Sequence, residues 1–387
     1  MLAPGNAAFA AALAQVHGHC VAFIDSGVAQ CWPQLSSELM DAFAALQQTP
    51  MASAITTAHA PTNNSLRHGT DSVQTCNPVL VHIEIIPGGE ACKDGLQYAQ
   101  RVAKICFDHG VSRHGAVIAI GGGAVLDAVG FGAAIAHRGV RMIRVPTTTL
   151  AQDDSAMGVK CGVNMFGHKN ALGCFAAPWA VLCDEQFLST LPLQHWLGGF
   201  SEVVKIALLK DAPLFEQLET CATHIVSRDM KVAAPVLQRS AWLHREHIVN
   251  GGDPFEVGSA RPLDHGHWSA HRLEALSFFA VSHGQAVSIG IALDACLAVE
   301  LNLLDQSVAA RIIRLLQSLQ LPVWHSLLES TQEIFHGLEQ FRQHLGGNFA
   351  IPLLTAIGTS HEVTRISADD FRKAISMLRT LAVSTGI

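Results

Sequence analysis

The chain has 387 residues, 49% of them hydrophobic and 15% charged, with a formal net charge of −7. That is enough apolar material for two domains with their own cores, and the composition is that of a globular chain rather than a disordered one. The acidic balance offers no basic footprint for nucleic acid or an anionic membrane, and no apolar run reaches the roughly 18 residues a spanning helix needs, so the partners expected are small molecules.

The Ala-rich start, MLAPGNAAFAAALAQVHGHC, has no basic n-region ahead of a long apolar core and reads as a short helix rather than a signal peptide. The ten cysteines are scattered without a CxxC pair. That usage suits reduced thiols in a cytoplasm better than a disulfide framework or a zinc knuckle. CVAFID (Cys20 to Asp25) is the first strand expected, followed by helix to about Gln48. Residues 51–77 turn polar and read as a loop. VHIEII (Val81 to Ile86) is the next strand, leading through PGGEACK into a helix over Asp94 to His109.

AVIAIGGGAVLDAVGFGAAIAHRG then reads as strand, glycine turn and helix. Gly121, Gly122 and Gly123 would let the backbone approach a pyrophosphate at a helix N-terminus, although a plain tight turn explains three glycines equally well. Arg141 to Val145 is the following strand, and PTTTLAQDDS sets hydroxyls and carboxylates at its carboxyl end, where open α/β sheets bind ligands. AVLCD (Ala180 to Asp184) is the last strand expected. Beyond Pro192 the pattern is helical, which puts a domain boundary near residue 185. In GFSEVVKIALLKD, Glu202 and Lys205 stand three apart and share a helix face, either as a surface ion pair or as a pair turned into a cleft. The apolar residues around them favour the cleft.

RPLDHGHWSAHRLEALSFFAVSHG, from Arg261 to Gly284, concentrates His265, His267, His271 and His283 beside an apolar run. His267 and His271, four apart, share a face on a helix, and the stretch has the look of a metal site built on helices, although most histidines in a chain this rich in them are ordinary. The last helix, from about Ser367 to Leu381, opens with Ser367 and Asp370 at capping-box spacing.

Taken together, PGGEACK, GGGAVLDAVGF, HRG, VPTTTLAQDDSAMGVKCGVN, GHKNALG, LPLQHWLGGFSEVVK, GHWSAH and SHGQAV resemble, in order and near-family spacing, the sugar phosphate cyclases, the family of 3-dehydroquinate synthase and of relatives acting on sedoheptulose 7-phosphate. The resemblance runs from about Val21 to Ile387. It implies a dehydroquinate synthase-like fold: a Rossmann-like α/β NAD-binding domain over 1–185 and an all-α metal- and substrate-binding domain over 186–387. It also implies that Glu202, His267 and His283 hold Zn2+ or Co2+, with a position left open for substrate oxygens. Gly121, Gly122 and Gly123 would hold the NAD pyrophosphate with Asp127, Thr147 and Thr148 nearby, Glu90 and Lys93 would lie on the nicotinamide ribose side, and Asp25 would receive the adenosine ribose. Asp154, Lys160, Lys169, Asn170 and Lys205 would line the substrate, with His271 close to its phosphate. Arg138 would reach the phosphate of a neighbouring subunit, which makes a homodimer. The implied reaction is transient alcohol oxidation by NAD, phosphate elimination, re-reduction and intramolecular aldol closure to a carbocycle.

Several positions depart from 3-dehydroquinate synthase. Ala260 stands where that enzyme has an arginine, with Arg261 displaced by one, and a substrate-binding lysine falls near Arg245 and Glu246 with an apparent insertion at Gly251 and Gly252. Asp264 replaces an asparagine, and Arg342 or His344 falls where a late lysine stands. A substrate carboxylate calls for a bidentate arginine and is repelled by an aspartate. Asp264 and a histidine at these places resemble the sedoheptulose 7-phosphate cyclases, so a substrate of that kind is expected. The alternatives are 3-dehydroquinate synthase itself and a polyol oxidoreductase of the glycerol dehydrogenase type; a non-enzymatic role fits poorly with a full set of ligands and phosphate-facing lysines.

Overall fold

The computed structural model describes residues 6–48, 77–253, 255, 262–344 and 350–384, which fall into two compact units. The polar stretch expected to be a loop, 51–77, lies outside the described residues except for Asn77, as do Ala260 and Arg261. The first unit comprises residues up to 146 together with 160–184, and the second comprises 147–159 together with 185 onward. The segment 147–159, which follows directly on a strand of the first unit, therefore packs with the helical unit.

In the first unit, α1 (Ala7–Leu13) leads to β1 (His19–Asp25), α2 (Ser26–Cys31) and α3 (Leu35–Gln48). Next come β2 (Val79–Ile86), α4 (Gln97–Asp108), β3 (Ala116–Gly121), α5 (Gly123–Ile135) and β4 (Arg141–Pro146). Cys20 to Ile24 and Ala116 to Ile120 have no exposed surface. Strands apolar on both faces belong at the centre of a parallel sheet covered by helices. β1 and β3 are indeed neighbours there, in a sheet ordered β2-β1-β3-β4-β7 with all pairs parallel. β7 is only Ala180–Val181, shorter than the strand expected from AVLCD, because only Ile143 and Arg144 of β4 face it.

An antiparallel hairpin, β5 (Lys160–Met165) and β6 (His168–Phe175), was not expected from the sequence. Its turn, Phe166–Gly167, has φ of 55° and 75° at the two central residues. That is the twist of a type I′ hairpin turn, reached here without the Asn-Gly that usually announces it. The hairpin is held by Arg144, fully buried on β4, which donates to the Lys160 carbonyl at 3.3 Å and to Cys161 Sγ at 3.1 Å.

The second unit is a helical array: α6 (Leu193–Lys210), α7 (Ala212–Val226), α8 (Met230–Asn250), α9 (His267–Leu276), α10 (His283–Glu300), α11 (Gln306–Ser318), α12 (Thr331–His344) and α13 (Ala368–Ser384). A second unexpected hairpin, β8 (Ile351–Ala356) with β9 (Thr359–Val363), interrupts the array, so the unit is mostly rather than wholly helical. At α13 the capping box stands: Asp370 N–H donates to Ser367 Oγ at 3.1 Å, and Ser367 N–H to Asp370 Oδ2 at 3.1 Å.

α10 is buried on almost every side from Gly284 to Ala298, as a helix apolar all round must be. Its glycines let it approach its neighbours. A Cβ on Gly284 would stand 2.2 Å from the Gly198 carbonyl oxygen of α6, and one on Gly290 would stand 2.0 Å from the Gly266 carbonyl oxygen just before α9. On the other side of α6, a Cβ on Gly199 would meet Thr149 Oγ1 at 2.3 Å. The LGGF segment is thus the point where α10 and the 147–159 segment both close on α6.

The two glycines that meet across α6 and α10 are not equivalent. A Cβ on Gly198 meets nothing nearer than the Gly284 Cα at 3.8 Å, an ordinary contact. Gly284→Ala is therefore expected to cost about 1–3 kcal/mol by overpacking. Gly198→Ala is expected to be neutral or stabilising by up to about 1 kcal/mol through helix propensity. Urea unfolding of the two variants checks this, and equal losses would show that a Cβ at Gly198 is as crowded as one at Gly284, contrary to the packing described.

Candidate functional site

In the second unit, α6 delivers Glu202 and Lys205, both buried, from one helix face. Glu202 Oε2 stands 2.5 Å from Lys205 Nζ, and its Oε1 stands 3.4 Å from His267 Nε2 and 3.4 Å from His283 Nε2. The cleft reading of the Glu202–Lys205 pair is the one the burial supports, since neither side chain is available to the surface. Asp154 lies on a π-helical turn, Ala151–Ser155, with Oδ1 3.7 Å from Lys205 Nζ and 3.3 Å from His244 Nδ1.

Burial alone would raise the pKa of Glu202, but the Lys205 charge and then His267 outweigh it and hold the carboxylate well below its ordinary value. The Lys205 pKa moves the opposite way and is raised: burial opposes its charge, but Glu202 and Asp154 overcome that, with a smaller contribution from Asp264. Asp264 ends a 3-10 turn, Pro262–Asp264, and so adds negative field beside Lys205. His244 moves the other way, its pKa lowered chiefly by burial, with Asp154 opposing. Asp153 is pushed well above the carboxylate range by burial, then by Asp154 and Glu202, and its Oδ2 is 3.5 Å from Ser240 Oγ.

The rings of His267 and His283 are 5.5 Å apart, and the donors of Glu202, His267 and His283 all lie within 4.8 Å of one another. Two atoms each about 2.0–2.1 Å from a tetrahedral zinc ion stand about 3.4 Å apart. The observed separation of Glu202 Oε1 from each Nε2 is that distance. Glu202 Oε2 is paired with Lys205, whereas the buried Oε1 accepts no hydrogen bond of good geometry. A carboxylate in that condition, aimed between two imidazole nitrogens, fits a cation. His267 Nδ1 is 3.1 Å from the His265 carbonyl oxygen, which can only accept, so Nδ1 carries the proton and Nε2 keeps its lone pair. His271 is exposed, with its ring 5.6 Å from that of His267 and 6.1 Å from that of His283.

In the first unit, β3 ends at Gly121 and α5 begins at Gly123 with Gly122 as an N-cap that makes no side-chain bond. A Cβ on Gly121 would stand 2.8 Å from Val125 and 3.1 Å from the Asp25 Cβ, and one on Gly88 would stand 2.5 Å from both Asp25 carboxylate oxygens. The glycine turn, the PGGEACK segment and the end of β1 are therefore one cluster. Asp25 Oδ1 accepts from Gly27 N–H at 2.8 Å. Lys93, 2% exposed, donates to Asp127 Oδ2 at 2.6 Å and to Asn170 Oδ1 at 2.5 Å. Asn164 donates to Glu90 Oε2 at 2.8 Å and accepts from Asn170 N–H at 3.0 Å, while Lys169 Nζ stands 3.7 Å from Glu90 Oε1. Asn170, expected on the substrate, is joined to Lys93 and, through Asn164, to Glu90. Lys160 is exposed at the start of β5, and Arg138 is exposed with φ of 63°.

Thr147 is buried in the second unit, and Thr148 Oγ1 accepts from Ala151 N–H at 3.1 Å, capping the π-helical turn. Arg342 and His344 fall on α12, their side chains outside the described residues.

Three residues were missed or set aside in the sequence. His244, one of the many histidines given no role in the sequence, stands against Asp154. Asn164 ties together residues 90 and 170, and only its place in the GVN segment hinted at it. Glu274 stands 3.2 Å from His283 Nδ1. It completes an i, i+4, i+7 stripe with His267 and His271, a spacing visible in the sequence.

Two family models cover the chain consecutively, 3-dehydroquinate synthase N-terminal over residues 83–197 and 3-dehydroquinate synthase C-terminal over 199–345. The chain is 34% identical over 282 residues to the 3-dehydroquinate synthase of Sulfurisphaera tokodaii, covering 72% of this chain and 79% of that one. It is 35% identical over 281 residues to a 2-epi-5-epi-valiolone synthase of an Actinomyces species, covering 70% and 73%. Among solved structures, the 2-epi-5-epi-valiolone synthase of Streptomyces hygroscopicus subsp. jinggangensis, with NAD+ and Zn2+ bound, superposes with a TM-score of 0.82 at 27% identity, over 97% of this chain and 95% of that one.

Behind the site, Asp294 of α10 is fully buried and accepts from Gly266 N–H at 2.7 Å and from Trp268 Nε1–H at 2.8 Å, fixing the entry to α9. Burial raises its pKa from 3.8 to about 7. The folded protein thus keeps the Asp294 proton up to about pH 7, whereas the unfolded chain releases it near 3.8. Its contribution to stability is complete below pH 3.8 and is lost as the pH rises through 7. A shift of that size corresponds to about 4 kcal/mol. The stability of the wild type relative to Asp294→Asn is expected to fall as the pH rises from 3.8 to about 7 and to level off above, measured by urea unfolding at each pH; a difference constant with pH would contradict the assignment.

Proposed function

Because the chain belongs to the 3-dehydroquinate synthase family of sugar phosphate cyclases, whose members eliminate phosphate, we propose that it closes a sedoheptulose 7-phosphate-like ketose phosphate to a carbocycle, using NAD and a Zn2+ or Co2+ ion. The observation that carries the reading is the buried Glu202 carboxylate facing two imidazole Nε2 atoms at 3.4 Å, with Lys205 and Asp154 alongside.

Glu202, His267 and His283 would hold the ion, which would supply polarisation of a substrate alcohol, while NAD would supply reversible hydride acceptance with no net oxidation. Lys205, kept charged by Glu202 and Asp154, stabilises negative charge developing on a substrate oxygen. Asp154 orients Lys205 and His244 through its Oδ1. Lys160, Lys169, His271 and Arg138 neutralise the leaving phosphate, Arg138 across the interface of a homodimer. Gly121, Gly122 and Gly123 open the N-terminus of α5 to the NAD pyrophosphate, where uncapped N–H groups favour an anion. Glu90, Lys93 and Asp127, with Asn170 joined to them, form the polar set beside that turn, and Asp25, Thr147 and Thr148 serve the same cofactor. A cytoplasmic working environment suits buried, reduced thiols such as Cys20, Cys92, Cys106 and Cys296.

The choice of substrate rests on Asp264. Its carboxylate adds to the negative field around Lys205, where a second carboxylate on the substrate would be repelled.

Metal-loaded protein is expected to release inorganic phosphate from sedoheptulose 7-phosphate with no net NADH. Phosphate released only from the carboxylated seven-carbon phosphate would replace this reading by 3-dehydroquinate synthase, and steady NADH accumulation would replace it by a polyol dehydrogenase. Asp264→Asn is expected to shift the kcat/KM ratio about tenfold toward the carboxylated substrate, equivalent to about 1.4 kcal/mol.

A further inference from the structure

We propose that Glu274 is a positioning residue for the metal centre: its buried carboxylate accepts a hydrogen bond from His283 Nδ1 and so presets the nitrogen and the direction that His283 offers to the ion. This rests on the metal-site reading above. The His283 ring lies between two carboxylates, with Nε2 3.4 Å from Glu202 Oε1 and Nδ1 3.2 Å from Glu274 Oε2. Glu274 is 2% exposed and is carried by α9, the helix that also carries His267. One helix therefore supplies a ligand directly and, two turns on, the group that orients the other imidazole.

The two imidazoles are held in parallel ways by acceptors of different kinds. His267 Nδ1 donates to the backbone carbonyl of His265 at 3.1 Å, and His283 Nδ1 faces a carboxylate oxygen of Glu274 at 3.2 Å. A carboxylate acceptor fixes the Nδ1–H tautomer and makes the opposite nitrogen a better donor to a metal. The α9–α10 turn is braced as well: Ser277 Oγ accepts from Val281 N–H at 3.2 Å, and Ser282 and Gln285 form a capping box at the start of α10. Glu274 adds the side-chain constraint at His283, the first residue of that helix.

His271, Glu274 and His283 also bring donor atoms within 4.8 Å of one another, an arrangement in which Glu274 would itself be a ligand to a second ion. A nitrogen that donates its proton to Glu274 has no lone pair for an ion. With Nε2 committed to the Glu202 side, a second ion would require His283 to lose both ring protons. The positioning role uses one neutral tautomer and the observed contacts.

The test uses the full chain stripped of metal, with zinc affinity measured by competition against a chromophoric chelator. Glu274→Ala is expected to weaken zinc binding about 10- to 100-fold. Glu274→Gln, whose amide oxygen still accepts from Nδ1, is expected to fall between it and the wild type, and it carries the test if the alanine variant melts early. Long-range 1H–15N spectra of the metal-free protein are expected to show His283 as the Nδ1–H tautomer in the wild type and as a mixture in Glu274→Ala. Affinity within twofold of wild type in both variants, an unchanged tautomer, or a second zinc ion lost on removing Glu274 would overturn the proposal. Glu202→Gln separates the two levels of the argument: if it binds zinc as the wild type does, the metal-site reading fails and this inference with it.

Discussion

The second unit is organised around one ionised carboxylate kept in a place where a carboxylate should not remain charged. Glu202 is fully buried, and an isolated anion at that depth would take up a proton rather than stay ionised. Lys205 on the same helix reverses that outcome, and His267 and His283 from two others face the carboxylate through Nε2. They reach Glu202 only because the helix backbones come unusually close, through Gly284 on Gly198 and Gly290 on Gly266. Asp294 then pins the residues on either side of His267 from within α10. Packing and electrostatics are one problem here, since a wider helix spacing would leave the carboxylate without partners.

The first unit solves a different problem, that of exposing backbone N–H groups without side chains in the way. Asp25, Gly88 and Gly121 are in contact where β1, the PGGEACK segment and the glycine turn converge. Lys93 is locked between Asp127 and Asn170, so a cation nearly without exposed surface is held by one residue from the helix after the turn and one from the hairpin. That hairpin is in turn secured to the sheet through Arg144.

What the sequence made legible follows from how local each feature is. The buried strands announce themselves by unbroken apolar runs, and the Ser367–Asp370 capping box by a three-residue spacing, because each needs only its own neighbours. The shared face of His267 and His271 is equally local, but spacing alone said nothing of Glu202, which lies far away in the chain and meets the histidines only through the α6–α10 crossing. Glu202 came into the metal set through family resemblance. His244 and Glu274 were passed over for the same reason: their partners, Asp154 and His283, belong to other elements. The β5–β6 hairpin was missed because its strands mix polar residues and glycines with apolar ones and β6 is largely exposed, so neither carries a long apolar run, and because Phe166 occupies a left-handed position where Asn or Gly would have signalled the turn.

The central claim is that Glu202, His267 and His283 together form a mixed oxygen and nitrogen metal site. X-ray absorption at the zinc edge of the purified chain tests it most directly. The account predicts only oxygen and nitrogen scatterers at about 2.0–2.2 Å, with imidazole multiple scattering from two rings. A sulfur shell at about 2.3 Å, which would place the metal on cysteines, or a single-imidazole signal would contradict it.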